Sequence, residues 1–319
     1  MGRHIWGRGV STLQMQTLTD SPCNLCSREC GVNRKQGEKG YCFSLDHPVV
    51  ARAALHMWEE PCISGTKGSG AVFFSGCGLR CCFCQNHDIA IGSRGRAVSV
   101  ERLGEIFLEL KEKGAANINL VTGAHYVPQI IEALDMARRK GLDIPVVYNS
   151  SGYEKTETLK LLEGYVDIYL PDLKYLDPEL AQKFSYAPDY VQAAKAAIGE
   201  MVRQTGKCEF GEDGYIRKGT IVRHLILPGH TGNSIKALRY LHETYGEDIY
   251  ISIMNQYTPV RKFVEFKELN RKVTKREYEK VLDAAVDMGI QNGFIQEGET
   301  ASESFIPDFD YEGVEKNTP

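Results

Sequence analysis

Ten cysteines stand in this 319-residue chain, and eight of them fall into two tight groups. Cys77, Cys81 and Cys84 follow one another at spacings of four and three, with Cys82 beside Cys81. Three thiolates on one short loop can wrap a compact cluster. Iron–sulfur clusters are held by cysteine thiolates, usually four of them. A set of three leaves one iron with an open position, and an open position marks a catalytic rather than a structural metal. The rival readings of this loop are a zinc knuckle or a chance spacing. Cys82 cannot point the same way as its neighbour and is read as a bystander. The second group, Cys23, Cys26, Cys30 and Cys42, is a complete set of four. Zinc would accept it as a closed tetrahedral site, and a second iron–sulfur cluster would accept it too. Donor chemistry does not choose between them. A second cluster would relay electrons or bind substrate, whereas zinc would be structural. Cys62 and Cys208 stand apart and read as small buried hydrophobes.

Such groups need rigid elements to present them, and the rest of the chain supplies these. Hydrophobic residues make up 42% and charged residues 25%, with a formal net charge of −4. That composition suits a large core and gives no basic field for nucleic acid. No apolar run approaches the roughly 20 residues that span a bilayer. The first 20 residues lack the apolar core of a signal peptide. The expectation is a cytoplasmic chain with no membrane and no nucleic-acid partner, in which clustered cysteines read as ligands rather than disulfides. Residues 1–20 read as a flexible leader, and 21–69 as a small Cys-rich, metal-binding subdomain that needs its metal to hold together. From residue 70 to 300 strand-like runs alternate with amphipathic ones. Strands are expected near 71–76, 117–123, 145–150, 166–173, 220–227, 248–254 and 293–296. Helices are expected near 99–114, 127–140, 156–163, 189–205, 232–245 and 274–288. Repeated βα units imply a parallel sheet, either open or wholly or partly closed into a barrel. Residues 301–319 read as an acidic flexible tail.

The loop CxxxCxxC with an aromatic before its last cysteine resembles the signature of the radical S-adenosylmethionine (SAM) superfamily. The stretches CxLCxRxCGVNR, EEPCISGTKGSGAVFFSGCGLRCCFCQN, NINLVTGAHYVP, VVYNSSGYE, VDIYLPDLKY, IVRHLILPG and MNQYTP are similar to the pyruvate formate-lyase activating enzymes, and more closely to an uncharacterised iron–sulfur branch of them. The resemblance runs over about residues 21–296. It implies an α/β fold, a partial (β/α)6 TIM-like barrel, with a 4Fe–4S cluster on Cys77, Cys81 and Cys84 at the C-terminal strand ends. The cluster's fourth iron would chelate SAM, and reduction would release a 5′-deoxyadenosyl radical that abstracts hydrogen from a substrate. A glycine of a partner enzyme is the substrate the resemblance implies; another peptide or a small molecule stays open, as does a non-catalytic iron–sulfur or zinc redox module. A flavodoxin or ferredoxin would supply the electron.

The strand ends then offer the SAM contacts. Where the family usually has Gly-Gly-Glu, this chain has Thr122-Gly123-Ala124-His125, so the glutamate is missing. Gly123 still lets backbone approach a ligand, and His125 is the candidate replacement acceptor, against the bland reading of a helix-entry histidine. Asn149, Ser150 and Ser151 suit hydrogen bonds to a ribose, though such residues also dominate ordinary turns. Asp172 and Lys174 lie on one face by strand alternation, and a charged pair there requires partners. The similar Asp-x-Lys of the activating enzymes implies a role with the SAM carboxylate and a cation, against a structural ion pair. Arg223, in mid-strand, contacts SAM or anchors the pocket. Met254-Asn255-Gln256-Tyr257 and Gln296-Glu297 close the ring of strand ends.

Overall fold

The structure, a computed structural model, describes residues 22–296 and 307–316. The expected leader over 1–20 and Glu297 lie outside those residues. In chain order the strands are β1 (Val49–His56), β2 (Ser69–Phe74), β3 (Arg96–Ala97), β4 (Ile118–Val121), β5 (Val146–Ser150), β6 (Ile168–Pro171), β7 (Glu209–Phe210), β8 (Ile216–Leu225), β9 (Tyr250–Met254) and β10 (Gly293–Ile295). The helices are α1 (Pro61–Ser64), α2 (His87–Ala90), α3 (Val100–Glu112), α4 (Val127–Arg139), α5 (Thr156–Leu161), α6 (Pro178–Ser185), α7 (Tyr190–Thr205), α8 (Thr231–Tyr245) and α9 (Lys275–Asp287).

All ten strands form one sheet, ordered β10-β9-β8-β6-β5-β4-β2-β1-β3, with β7 paired to β8. From β2 to β10 every neighbour in that order is parallel. The chain therefore winds in one direction through successive βα units, as the alternation of runs requires. The central strands are short and buried along their whole length (INLV over 118–121, IYLP over 168–171). Side chains that caps need stand where the helices start. Ser99 accepts from the Arg102 N–H at the head of α3, and Thr274 with Glu277 forms a capping box on α9.

The two faces of the sheet differ. One is buried by the helices: Val72, Phe74, Leu120 and Tyr148 pack with Leu103, Phe107, Ile130 and Leu134, and Val222, Ile251 and Ile253 pack with Leu238, Leu241 and Val281. Among the described residues the other face has no long helix. Its lower part is filled by α1, with Ile63 against Val147, Ile168, Leu170 and Ile221. Above that plug the inner residues turn polar, and this is where the cavity described below opens.

Two boundaries differ from the sequence reading. The Cys-rich segment does not extend to residue 69: Val49–His56 is a strand, antiparallel to β2 from Val50 to His56. Its apolar residues belong to the sheet. The acidic tail is not free over 307–316. Tyr311 N–H donates to Ala51 and Ala53 N–H to Glu312, while Asp310 and Glu312 pair with Arg52, and Glu315 with Arg96. The acidity read as a sign of disorder is spent on three arginine contacts. Among the described residues no helix is long and apolar enough to cross a membrane.

His224, fully buried in β8, donates from Nδ1 to the Leu173 carbonyl at 2.6 Å. Burial pushes its pKa down from 6.5 to about 4. The unfolded chain therefore takes up a proton here that the folded chain refuses, and stability should fall as pH drops from 6.5 towards 4. For a fully buried group a shift of this size is worth roughly 3 kcal/mol. The His224→Asn variant, which keeps a donor for the carbonyl, should show a flatter stability–pH profile in urea unfolding. Parallel profiles for the two proteins would place the acid sensitivity elsewhere.

Candidate active site

β2 runs straight into the three-cysteine loop. Gly76 has φ +93°, and a Cβ there would lie 2.3 Å from Ser44 Oγ and 2.5 Å from the Cys42 carbonyl. Only glycine allows the N-terminal loop to press so closely on the turn. The loop is pinned from several sides. Cys77 Sγ accepts from Leu79 N–H at 3.4 Å, and Cys81 Sγ from Ser185 Oγ at 3.1 Å. Cys82 N–H donates to Phe184, and Cys84 N–H to Cys81. Cys77, Cys81 and Cys84 all line one cavity of about 220 Å³. Burial, helped by the charges of Cys81 and Cys77, pushes the Cys84 thiol up to about 12, and Lys174 pulls the other way. A thiol so raised becomes a thiolate when a cationic centre compensates it. Cys82, 6% exposed, packs into the apolar cluster with Phe184 instead.

The opposite wall carries the charged residues. Lys174 Nζ donates to Asp172 at 2.6 Å, and Arg223 Nε to the other Asp172 oxygen at 3.2 Å. Burial works against the Asp172 charge, but the Lys174 ammonium and the Arg223 guanidinium outweigh it and hold its pKa below the usual carboxylate range. Lys174 is likewise opposed by burial and held above lysine's ordinary value by Asp172. Arg223 Nη2 donates to Asn149 Oδ1 at 2.6 Å and Nη1 to Glu59 at 3.0 Å. Thr122, Asn149, Ser150, Ser151, Asp172, Lys174 and Arg223 therefore share the cavity with the three cysteines. Thr122 sits there at φ +60°, a strained conformation for a β-branched residue.

Two candidates fall elsewhere. His125 is 2% exposed and donates from Nε2 to the Ser75 carbonyl at 2.9 Å. Burial and Arg34 push its pKa down to about 3, so its ring supports the loop as a neutral donor behind Cys77 rather than facing the cavity. Gly123 has φ −90°, and a Cβ there would meet Ile130 Cδ1 at 2.7 Å, so its lack of a side chain serves packing. Gln256 and Met254 line the cavity; Asn255 N–H donates to Gln296 and Tyr257 OH to the Leu269 carbonyl.

Sequence reasoning missed Glu59, Trp58 and His56, which line the cavity from the β1–α1 side. Glu59 was findable in principle: an arginine in mid-strand demands a buried acid beyond Asp172, and Glu59-Glu60 directly precedes a proline-led apolar run. Burial first, then Arg223 and Arg52, push His56 down to about 4, so it is neutral at ordinary pH.

The N-terminal cysteines sit in a compact loop against this site. Cys30 Sγ and Cys42 Sγ would both lie 3.3 Å from a Cβ at Gly40, so these two thiols face one point. Cys26 Sγ would stand 3.3 Å from a Cβ at Gly78, in the three-cysteine loop. Burial pushes Cys26 up to about 12. Among the described residues no three His, Cys, Asp or Glu side chains stand close enough to hold a single metal ion. The three thiols of the 77–84 loop fit an iron–sulfur cluster by donor type and by converging on one cavity.

Comparison with known proteins places the chain among relatives. An uncharacterised protein of Methanocaldococcus jannaschii is 28% identical over 270 residues, covering 82% of this chain and 74% of that one. The pyruvate formate-lyase-activating enzyme of Clostridium pasteurianum is 27% identical over 113 residues, 34% of this chain and 46% of that one. Among solved structures, SuiB of Streptococcus suis bound to its precursor peptide SuiA aligns with a TM-score of 0.46 at 14% identity, over 70% of this chain. The aligned part is 47% of SuiB, about half its length. The model of the radical SAM superfamily matches residues 71–241, from β2 to the middle of α8 and more than half of the chain. With the three-cysteine loop at the head of that stretch and its strand ends around one cavity, the chain belongs to the radical SAM superfamily.

Proposed function

We propose that this chain is a radical SAM enzyme that binds a 4Fe–4S cluster through Cys77, Cys81 and Cys84 and SAM in the adjoining cavity. The observation that carries this reading is the meeting of the three thiols with Asp172, Lys174 and Arg223 in one cavity. When bound and reduced, the cluster supplies the electron that cleaves SAM to a 5′-deoxyadenosyl radical. The residues of the chain do the rest by placement. Lys174, already poised by Asp172, offers its ammonium to the SAM carboxylate. Asn149, Ser150 and Ser151 offer short polar groups to the ribose, and the strained Thr122 brings backbone close to the cluster side. Leu79, Phe73, Phe83 and Val121 line the remainder and keep water from the reacting centre.

The similarity to a pyruvate formate-lyase-activating enzyme supports a glycine of a partner protein as the hydrogen donor, with a flavodoxin or ferredoxin as reductant, in the cytoplasm. Cys23, Cys26, Cys30 and Cys42 would hold a second iron–sulfur cluster or a zinc ion. Four soft donors within twenty residues support that part of the proposal.

Replacing Cys77, Cys81 or Cys84 by Ala should abolish both the SAM-responsive cluster and the release of 5′-deoxyadenosine from anaerobically reconstituted, dithionite-reduced protein. Cys82→Ala should retain both. Undiminished SAM cleavage by Cys81→Ala would sink the assignment. Asp172→Asn, nearly isosteric, should keep its iron and its melting temperature yet bind SAM at least tenfold more weakly, since breaking a desolvated pair costs about 2–5 kcal/mol. A SAM titration showing unchanged affinity beside a large loss of stability would make the pair structural.

A further inference from the structure

We infer that Glu59 is a positioning residue for the SAM site: its carboxylate sets the direction of Arg223 and, through it, of Asp172 and Lys174. This rests on the reading of the cavity as a SAM site. Glu59 lies ahead of the residues that match the superfamily model, in the loop that leads from β1 into the α1 plug. Its side chain is 7% exposed. Oε1 accepts from Asn119 Nδ2 at 2.9 Å and from Asn149 Nδ2 at 3.2 Å, and Oε2 accepts from Arg223 Nη1 at 3.0 Å. One carboxylate thus ties together β4, β5 and β8.

The effect on Arg223 is directional. The guanidinium is a planar fork with fixed donor directions. Here Nη1 goes to Glu59, Nη2 to Asn149 Oδ1 and Nε to Asp172 Oδ1. Asp172 thereby keeps its second oxygen for Lys174. Arg223 is thus shared between Glu59 and Asp172, and Asp172 between Arg223 and Lys174, one oxygen to each cation. Without the Glu59 charge, both cations would compete for Asp172, Arg223 would swing towards it, and Lys174 would lose its fixed place. The neighbouring Glu60 is also buried, and burial favours its neutral form.

Glu59→Gln separates the roles. A glutamine oxygen can still accept from both asparagines, while its amide group presents a donor where Arg223 needs an acceptor. The experiment is equilibrium dialysis of labelled SAM against the full chain, iron-loaded under anaerobic conditions, with iron content, melting temperature and the electron paramagnetic resonance spectrum of the reduced cluster with and without SAM. Expected for Glu59→Gln are wild-type iron and melting temperature, SAM binding weakened at least tenfold, and a smaller SAM-induced change in the spectrum. Arg223→Gln should weaken binding similarly, and the double variant should bind no more weakly than Arg223→Gln alone. Affinity of Glu59→Gln within twofold of wild type, or additive losses in the double variant, would overturn the inference while leaving the SAM site standing. Failure of the wild-type chain to bind SAM would instead remove the site and the inference with it. Should Glu59→Gln lose iron or melt early, Asn119→Ala decides: removal of one amide donor should weaken SAM binding about tenfold, in line with one lost hydrogen bond to a charged group, and no change would overturn the inference.

Discussion

An arginine in the middle of a buried strand has to be neutralised and hydrogen-bonded, and the inner face of this sheet is organised around that requirement. Arg223 is largely buried in β8, 15% exposed, so most of its donors must be met within the chain. Asp172 from the end of β6, Asn149 from β5 and Glu59 from the β1–α1 loop meet them. Each partner arrives on a different element. The guanidinium thus fixes the relative positions of four segments as well as its own charge. Lys174 is held by what remains of Asp172, and so it depends on the same arrangement. An apolar residue at 223 would remove the desolvation cost, but it would leave Glu59 without a cation and Asp172 with Lys174 alone at the wall of the cavity. The arrangement has the mark of a site, since buried ion pairs add little to stability and much to geometry.

The cysteine loop is governed by a different constraint, close approach of backbones. Gly76 lets the N-terminal loop reach the turn after β2. Arg28 then ties both to the far side: it donates to the carbonyls of Gly78, Ser185 and Tyr186. Its guanidinium also lies 4.1 Å from the centre of the Tyr41 ring, with Arg80 at 3.6 Å from the same ring. A tyrosine beside two arginines, in contact with main-chain carbonyls, holds the loop's outer surface while Ser185 and Phe184 hold its inner one. Arg34 does the same deeper in, donating to the carbonyls of Leu45 and His125. The candidate second metal loop is therefore part of the support of the first, whatever it binds.

The strand and helix runs were legible because the period of apolar residues changes from two to nearly four at each boundary, as between NINLV and the helix that begins at Val127. The cysteine spacing and the Asp172–Lys174 alternation were legible for the same reason: they depend on near neighbours in the chain. What could not be read was what depends on distant ones. His125 stands where a ligand acceptor would be sought, yet its Nε2–H donates to the carbonyl of Ser75, fifty residues away. The tail was read as disordered from its acidity, because the arginines that pair with it lie more than 200 residues earlier. Strand β1 was hidden by the cysteines around it, although VVARAAL has an ordinary edge-strand composition. Glu59 lies in the EEPC stretch, but its role follows only from where Arg223 comes to lie.

These omissions share a location, and that is informative. The stretch that matches the superfamily runs over 71–241 and contains the cysteine loop, Thr122, Asn149, Asp172, Lys174 and Arg223. The cavity is closed by residues outside it: His56, Trp58 and Glu59 on one side, Met254, Gln256 and Pro307 on the others. Trp58, 61% exposed, Glu59 and Gln256 also line a second hollow of about 470 Å³ that adjoins the first. The repeated βα units bring the reactive groups together at their strand ends, as parallel α/β architectures do. The added segments decide the depth of the cavity, its polarity away from the cysteines, and the breadth of its mouth. Trp58, Glu59 and Gln256 line both hollows, so the two meet at residues that lie outside the repeated units.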